Sequence, residues 1–413
     1  MTTLTRRTFM TTTGLGAAVA VTGLGTQLAF AAPGDGTGDT LVVVFLRGGA
    51  DGLSMAPPYG YPSYRQLRPN IAIPPPGQNG GALPLDSSNP NAVFPTGIDG
   101  VVGLHPAMKP IHDTLWAQGK LAVIPATGVP ASESASRSHF SAQDYVEAGS
   151  ASPTVGGSWL SRLVNAKALT GPVPAVSMAK RSDMLQGASG AVTISRLSNF
   201  GIGGFARTEL AKEALETMYR GEDSVASEGR EFLGVVDQID AISEEARPGF
   251  PNSGLGRAFG ELSALIKANL GIQVAAIDMG GWDHHANLDG RFSPLAGALA
   301  GSLRAFADDT NGLDEITVVV LTEFGRTINE NGNRGTDHGR ATTYLAMGAG
   351  IRGGVFGDDF PSEIRDDPDH GDLSVLTDFR KPLAEIAEQR AGVSNMGLLF
   401  PTYQGSGTMG LTR

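Results

Sequence analysis

Short, continuous apolar runs recur along the chain and alternate with longer stretches whose apolar residues are spaced three and four apart. Leu41 to Leu46 (LVVVFL) is apolar and largely β-branched without interruption, the pattern of a strand covered on both faces. Leu121 to Ile124, Val173 to Met178, Ile272 to Ile277, Ile316 to Leu321 and Tyr344 to Met347 read the same way. Helical spacing covers Pro106 to Gln118, Arg207 to Tyr219, Glu228 to Glu245, Leu255 to Asn269, Pro294 to Asp308 and Asp378 to Arg390. Gly119, Gly271 and Gly312 follow three of these helices, where a left-handed residue would stop them. Strands alternating with helices predict an α/β fold with a doubly wound, mostly parallel sheet flanked by helices. The region from about 180 to 250 is richer in helix than strand and reads as a helical cap or subdomain without a sharp boundary. Ala56 to Gly100 carries ten prolines and no period, which predicts a long loop insertion after the first strand. Tyr59, Tyr61 and Tyr64 either pin that loop to the body or touch a ligand.

The 413 residues are 41% hydrophobic and 18% charged, a globular composition large enough for one big α/β domain, taken as residues 41–413, or for two. A net charge of −11 with no Lys/Arg run argues against nucleic acid as a partner. The absence of cysteine excludes thiol nucleophiles and Cys-ligated metals, so any metal must be held by His, Asp, Glu and water.

The N-terminus reads as an address. Thr5-Arg6-Arg7-Thr8-Phe9-Met10 leads through a weakly apolar Gly/Thr/Ala stretch to Ala29-Phe30-Ala31, which resembles a twin-arginine signal peptide over residues 1–31, cleaved after Ala31 and followed by a linker over 32–40. The stretch is too short and too rich in Gly and Thr for a stable membrane span. The expectation is engagement of the twin-arginine translocase during export and a mature chain in the periplasm or outside the cell. That route carries folded proteins, which suits a protein that acquires a metal before export.

In an open parallel sheet, ligands bind beyond the carboxyl ends of the strands, and the residues there are far from random. The first strand is followed by Arg47-Gly48-Gly49-Ala50-Asp51-Gly52, and the run ending at Ile277 by Gly280-Gly281-Trp282-Asp283-His284-His285. The run ending at Leu321 leads into Thr322-Glu323-Phe324-Gly325-Arg326-Thr327, and Gly335-Thr336-Asp337-His338-Gly339 precedes the next run. A Ser-rich loop reaches Ser136-Arg137-Ser138-His139-Phe140. Carboxylates and imidazoles in Gly-rich turns can hold a divalent cation, identified no further than Zn, Mn, Ca or Mg, which polarises a phosphoryl or sulfuryl oxygen or acidifies water. Asp51, Asp283, His285, Asp337 and His338 are the candidate metal residues. Arg326 or Arg47 would bind an oxyanion, and Glu323 is a candidate catalytic group.

Plainer readings compete. Asp51 reads equally as a turn or cap residue, and Glu323 and Arg326 equally as a pair at the strand mouth. Ser138 reads first as the N-cap of a helix and second as a nucleophile. His284 is expected to be exposed, and His105 and His112 to be structural residues at a helix start. The acidic stretch around Asp358, Asp359, Glu363, Asp366, Asp367, Asp369, His370 and Asp372 lacks the alternate spacing of a calcium loop and reads as solvated.

The phrases FLRGGADGLSM (45–55), GLHPAM (103–108), RSHFSAQDYVEAG (137–149), GGWDHHAN (280–287), LTEFGRT (321–327), GTDHGRAT (335–342) and TDFR (377–380), together with the signal, resemble the exported family called domain of unknown function 1501, from about residue 40 onward. That family resembles the alkaline phosphatase and sulfatase superfamily. The resemblance implies an alkaline phosphatase-like fold with Asp51, Asp283, His285 and His338 on ligand positions. Where those enzymes carry Asp-His after the late strand, this chain has Glu323 and Arg326. The expectation is an exported metal-dependent hydrolase of small-molecule or polymer phosphate or sulfate esters, with Ser138 or an activated water as nucleophile. The alternative is a non-catalytic binding or scaffold protein with a degenerate metal site on the same fold.

Overall fold

The computed structural model describes residues 39–94, 98–133, 136–152, 155–167, 169, 171–200, 208–243, 247–357, 360, 363–364, 371–405 and 408–413. The expected signal peptide, most of its linker and most of the acidic stretch lie outside them.

Strands β1 (Thr40–Leu46), β2 (Leu121–Gly128), β3 (Ala175–Met178), β4 (Ala191–Ile194), β5 (Val274–Met279), β6 (Ile316–Thr322), β7 (Thr342–Met347) and β8 (Gly354–Val355) form one sheet in the order β8-β2-β7-β6-β1-β5-β3-β4, and β9 (Thr377–Asp378) extends β2. Successive residues of a strand point to opposite faces, and β1 shows the consequence. Val42, Val44 and Leu46 enter one apolar cluster, and Leu41, Val43 and Phe45 enter the other. The first cluster is closed by helices α5 (Gly254–Lys267) and α6 (Leu288–Asp309) through Phe259, Leu262, Leu299, Leu303 and Phe306. The second is closed by α2 (Trp159–Lys167) and α7 (Arg380–Gln389) through Trp159, Leu163, Leu383 and Ile386. A sheet buried on both sides requires uninterrupted apolar strands, which is why the runs were readable in sequence.

Every pairing within this sheet is parallel except those of β7, which runs antiparallel to both β2 and β6. This reversal needs no crossover helix, so the segment between β6 and β7 leaves and re-enters the sheet at the same edge. The carboxyl ends of β1, β5 and β6 and the start of β7 therefore face one another. Close approach of these loops depends on glycine. Gly48 has φ +121°, and a Cβ there would lie 2.6 Å from the backbone nitrogen of Asp283. A Cβ on Gly335 would lie 2.3 Å from the carbonyl carbon of His285.

Several elements differ from the sequence reading for local reasons. The helix expected over Pro106 to Gln118 is three unlike turns, a 3-10 turn at Pro106–Met108, an α-turn at Lys109–Ile111 and a π-turn at His112–Trp116, because Pro106 and Pro110 withhold amide donors. Helix α6 begins six residues before the expected Pro294, since Leu288 and Phe292 extend the buried line through Ala296 and Leu299. The edge strand β4 was not read from sequence. It pairs on one side only and is half-buried over most of its length. Helices α3 (Thr208–Met218) and α4 (Ser224–Ser243) fill the region read as a cap, and Val235 and Ile239 of α4 join the first apolar cluster. Gly119, Gly271 and Gly312 have φ of 66°, 73° and 72°, as expected of helix-ending residues. In the proline-rich loop, Tyr64 is buried, donates to the Leu53 carbonyl and accepts from the Ile73 amide, so this tyrosine pins the loop.

His105 and His112 are structural, as expected. His105 is buried and accepts from the Ala107 amide at 3.0 Å, and His112 Nε2 meets the Pro84 carbonyl at 3.0 Å. Burial pulls the His105 imidazole from 6.5 to about 4, with Asp51 opposing. The unfolded chain takes up the proton first, so stability is lost as pH falls from 6.5 toward 4. His105→Asn keeps a capping acceptor and should flatten that loss by about 1–3 kcal/mol, measured by urea unfolding at neutral and acidic pH.

Candidate metal centre

Three imidazoles and one carboxylate meet at the carboxyl edge of the sheet. His139 opens α1 (His139–Ala148), Asp283 and His285 follow β5, and His338 precedes β7. Ligand atoms of His139, Asp283 and His338 all lie within 4.8 Å of one another. His285 Nε2 stands 3.0 Å from Asp283 Oδ1 and 3.0 Å from His338 Nε2, and His139 Nε2 stands 3.5 Å from Asp283 Oδ2.

The orientation of the rings is set from behind. His139 Nδ1 meets Glu323 Oε1 at 2.8 Å, His285 Nδ1 meets Asp337 Oδ1 at 3.0 Å and His338 Nδ1 meets the Arg137 carbonyl at 2.7 Å. A carboxylate and a carbonyl only accept, so each Nδ1 carries the proton and, in the neutral ring, each Nε2 presents a lone pair to the centre. Two such lone pairs 3.0 Å apart repel unless a cation or a proton lies between them. His139 Nε2 is moreover buried without a hydrogen-bond partner. This donor set fits a divalent transition metal. Imidazole nitrogens oriented by outer carboxylates, beside a carboxylate oxygen, suit zinc or manganese better than all-oxygen calcium or magnesium sites.

Buried charges brace the ligands. Burial would raise the Glu323 carboxyl, but bonds from His139, Gln143 and backbone amides hold it at about 2. Its oxygens also accept from the Gly48 amide at 2.9 Å and the Thr322 hydroxyl at 2.9 Å. Desolvation likewise opposes ionisation of Asp283, and the Arg326 guanidinium overcomes it, keeping this carboxyl at about 2. Glu323 raises the His139 pKa through its hydrogen bond, against burial. Burial lowers that of His338. The Phe324 ring packs 4.9 Å from both His139 and His338, centroid to centroid.

The structure brings Asp283, His285, Asp337 and His338 together, as the sequence suggested, but Asp337 orients His285 instead of reaching the middle of the cluster. It moves four expectations. Asp51 is not part of the group: it is fully buried, with Arg68 at 2.6 and 2.9 Å and the Ser54 hydroxyl at 2.5 Å on its oxygens. Arg68 comes from the proline-rich loop, and no spacing in the sequence points to that partner. Glu323 and Arg326 do not pair with each other. The Arg326 side chain is buried and spends its donors on the carbonyls of Gly49 (2.7 Å), Gly48 (2.6 Å) and Thr336 (3.2 Å) and on Asp283, leaving no free edge for an oxyanion. Arg47 is likewise held by Glu147 and Asp278. Ser138 is the exposed N-cap of α1, makes no capping bond through its side chain, and borders the cluster through its neighbour.

His284 is buried, not exposed, because extended backbone after β5 turns alternate residues inward. Trp282 and His284 face the core while Asp283 and His285 face the cluster. Burial lowers the His284 pKa to about 4, with Arg326 adding to the effect. His139 was missed. A lone histidine at a helix start has no clustered neighbours to mark it, and the adjacent Ser138 hydroxyl is the more evident candidate in the sequence.

A mostly parallel α/β sheet with a His/Asp cluster beyond its strand ends defines an α/β protein with a candidate cation centre. The chain belongs to the family described as protein of unknown function (DUF1501), which it matches over residues 39–370. No curated protein matches it in sequence. Among solved structures it is similar to the C-terminal periplasmic domain of EcEptC from Escherichia coli, at 10% identity and TM-score 0.39, covering 92% of this chain and 93% of that one. It is also similar to the alkaline phosphatase of the Antarctic bacterium TAB5, at 11% identity and TM-score 0.32, covering 77% and 94%. The PsFucS1 sulfatase from Pseudoalteromonas sp. is similar at 12% identity and TM-score 0.37, covering 87% and 69%.

Two variants separate the ligands from the brace. Glu323→Gln should weaken metal binding about 10- to 100-fold by loosening His139, read by titration of metal-free protein with zinc. Asp51→Ala should strand the buried Arg68 charge and cost about 3–5 kcal/mol of stability in urea, while metal content stays at the wild-type level.

Proposed function

We propose that this protein is an exported metal-dependent hydrolase of phosphate or sulfate esters. The observation that carries the reading is the facing pair of His285 and His338 Nε2 atoms beside Asp283, with His139 Nε2 buried and without a hydrogen-bond partner among the described residues. His139, His338 and Asp283 would hold the cation, with His285 alongside. Bound there, a divalent cation supplies Lewis acidity toward a phosphoryl or sulfuryl oxygen and acidifies water. Glu323 fixes the His139 ring, Asp337 the His285 ring and Arg326 the Asp283 carboxylate. These three act as positioning residues, and Phe324 restricts two of the rings. The nucleophile is either the exposed Ser138 hydroxyl at the rim or water. A proton on an imidazole competes with the ion, so loading falls as pH falls.

The test is turnover of aryl phosphate and aryl sulfate by purified mature protein. Chelation should abolish activity, and zinc or manganese should restore it. Protein that binds no divalent ion, or that turns over neither ester with any of several metals, would remove the reading.

A second reading has its own support. Asp51 is taken by Arg68 and the Arg326 guanidinium is spent internally, which leaves one cation centre among the described residues and fits a binding or scaffold protein. His338→Ala discriminates: a hydrolase loses turnover while still folded, whereas a scaffold keeps its partner.

Export by the twin-arginine route is part of the proposal and rests on Arg6-Arg7 and the Ala29-Phe30-Ala31 segment. Among the described residues no helix is long and apolar enough to cross a membrane. Replacing Arg6 and Arg7 with Lys should leave the precursor in the cytoplasm, detected by cell fractionation. Unchanged export would exclude this route.

A further inference from the structure

Arg326, Arg47 and Arg137 lie on the loops around the cluster, and of these three Arg137 has the most exposed side chain. Arg326 has no exposed side-chain surface, and its donors go to carbonyls and Asp283. Arg47 is 12% exposed and pairs with Glu147 and Asp278. Arg137 differs in both respects. Its side chain is 37% exposed and ends on Asp372 through one terminal nitrogen, and no other hydrogen bond from its guanidinium falls among the described residues.

The backbone also fastens Arg137 to the centre. Its carbonyl is the acceptor that fixes His338 Nδ1 at 2.7 Å, and it stands two positions before His139. Asp372, fully buried, bridges by backbone to Thr327, which adjoins Arg326. The backbone of Arg137 thus stands between the segments that carry His139, His338 and Arg326, and its guanidinium is held on Asp372 through one terminal nitrogen.

We infer that Arg137, not Arg326, is the residue that binds the tetrahedral oxyanion of the substrate, the phosphate or sulfate group of an ester. A guanidinium held on a buried carboxylate through one terminal nitrogen keeps donors for a second anion, and its planar fork matches two oxygens at once. The inference rests on the ester-hydrolase reading and adds a specificity determinant to it. Asp372 is then the positioning residue, holding the guanidinium at a fixed angle.

The test uses metal-loaded mature protein and calorimetric titration with inorganic phosphate and, separately, inorganic sulfate. Arg137→Lys keeps the charge beside Asp372 but loses the fork, and should weaken the anion about 10-fold. The double variant Arg137→Gln/Asp372→Asn removes both charges of this pair and should weaken it by about 100-fold. Metal content and melting temperature are measured on each. Wild-type anion affinity in both variants at full metal content overturns the assignment. Loss of metal from both also overturns it, since Arg137 would then serve His338 alone. Wild-type protein that binds metal but neither anion overturns the assignment together with the ester reading. Turnover by the wild type with unchanged KM in both variants overturns the assignment and leaves the ester reading standing.

Discussion

The arrangement depends on one reversed strand. A parallel sheet delivers the outgoing loop of each strand to one edge, but a loop that left β6 for a parallel neighbour would have to cross to the far side before re-entering. Because β7 runs backward between β2 and β6, the 323–341 segment stays at the carboxyl edge. It supplies Glu323 and Arg326 on its way out and Asp337 and His338 on its way back. Of the three imidazoles, His338 is the one that this reversal keeps at the same edge as His139 and His285.

Within that frame, the work of the site is done by groups that do not face its middle. Each ring is steered by an acceptor on its Nδ1: a buried carboxylate, an exposed carboxylate and a main-chain carbonyl. The buried acceptor, Glu323, stays ionised because four kinds of donor converge on it, His139, Gln143, Thr322 and backbone amide. An unpaired carboxylate in that position would take up a proton instead, and His139 would lose the partner that orients it. Burying Arg326 follows the same logic. Its guanidinium ties the turn at Gly48 and Gly49 to the loop at Thr336 and to Asp283, so the loop ends are cross-linked by hydrogen bonds as well as packed through glycines.

The sheet and most helices were legible in the sequence because burial on both faces leaves no choice but continuous apolar strands, as in LVVVFL, and because α5 and α7 each need an apolar stripe. Strand β4 was not, since an edge strand pairs once and needs no such run, and the turns at Pro106–Trp116 were not, since their apolar spacing is helical while their prolines are not. At the site, Asp283, His285, Asp337 and His338 stood out because charged and imidazole side chains clustered beside glycine are costly to bury. His139 did not, because a lone histidine at the start of a helix carries no such signal.

The amino-acid sequence by itself determined most of the strands and helices, that their loops collect at one sheet edge, and that those loops carry carboxylates and imidazoles, because each of these follows from local spacing and from the cost of burying polar groups. Only the tertiary structure decided who pairs with whom. Asp51 with Arg68, Arg326 with Asp283 and Glu323 with His139 are partnerships across 17, 43 and 184 positions. Pairings over such spans are chosen by the packing of the sheet and its reversed strand, and no local pattern records them.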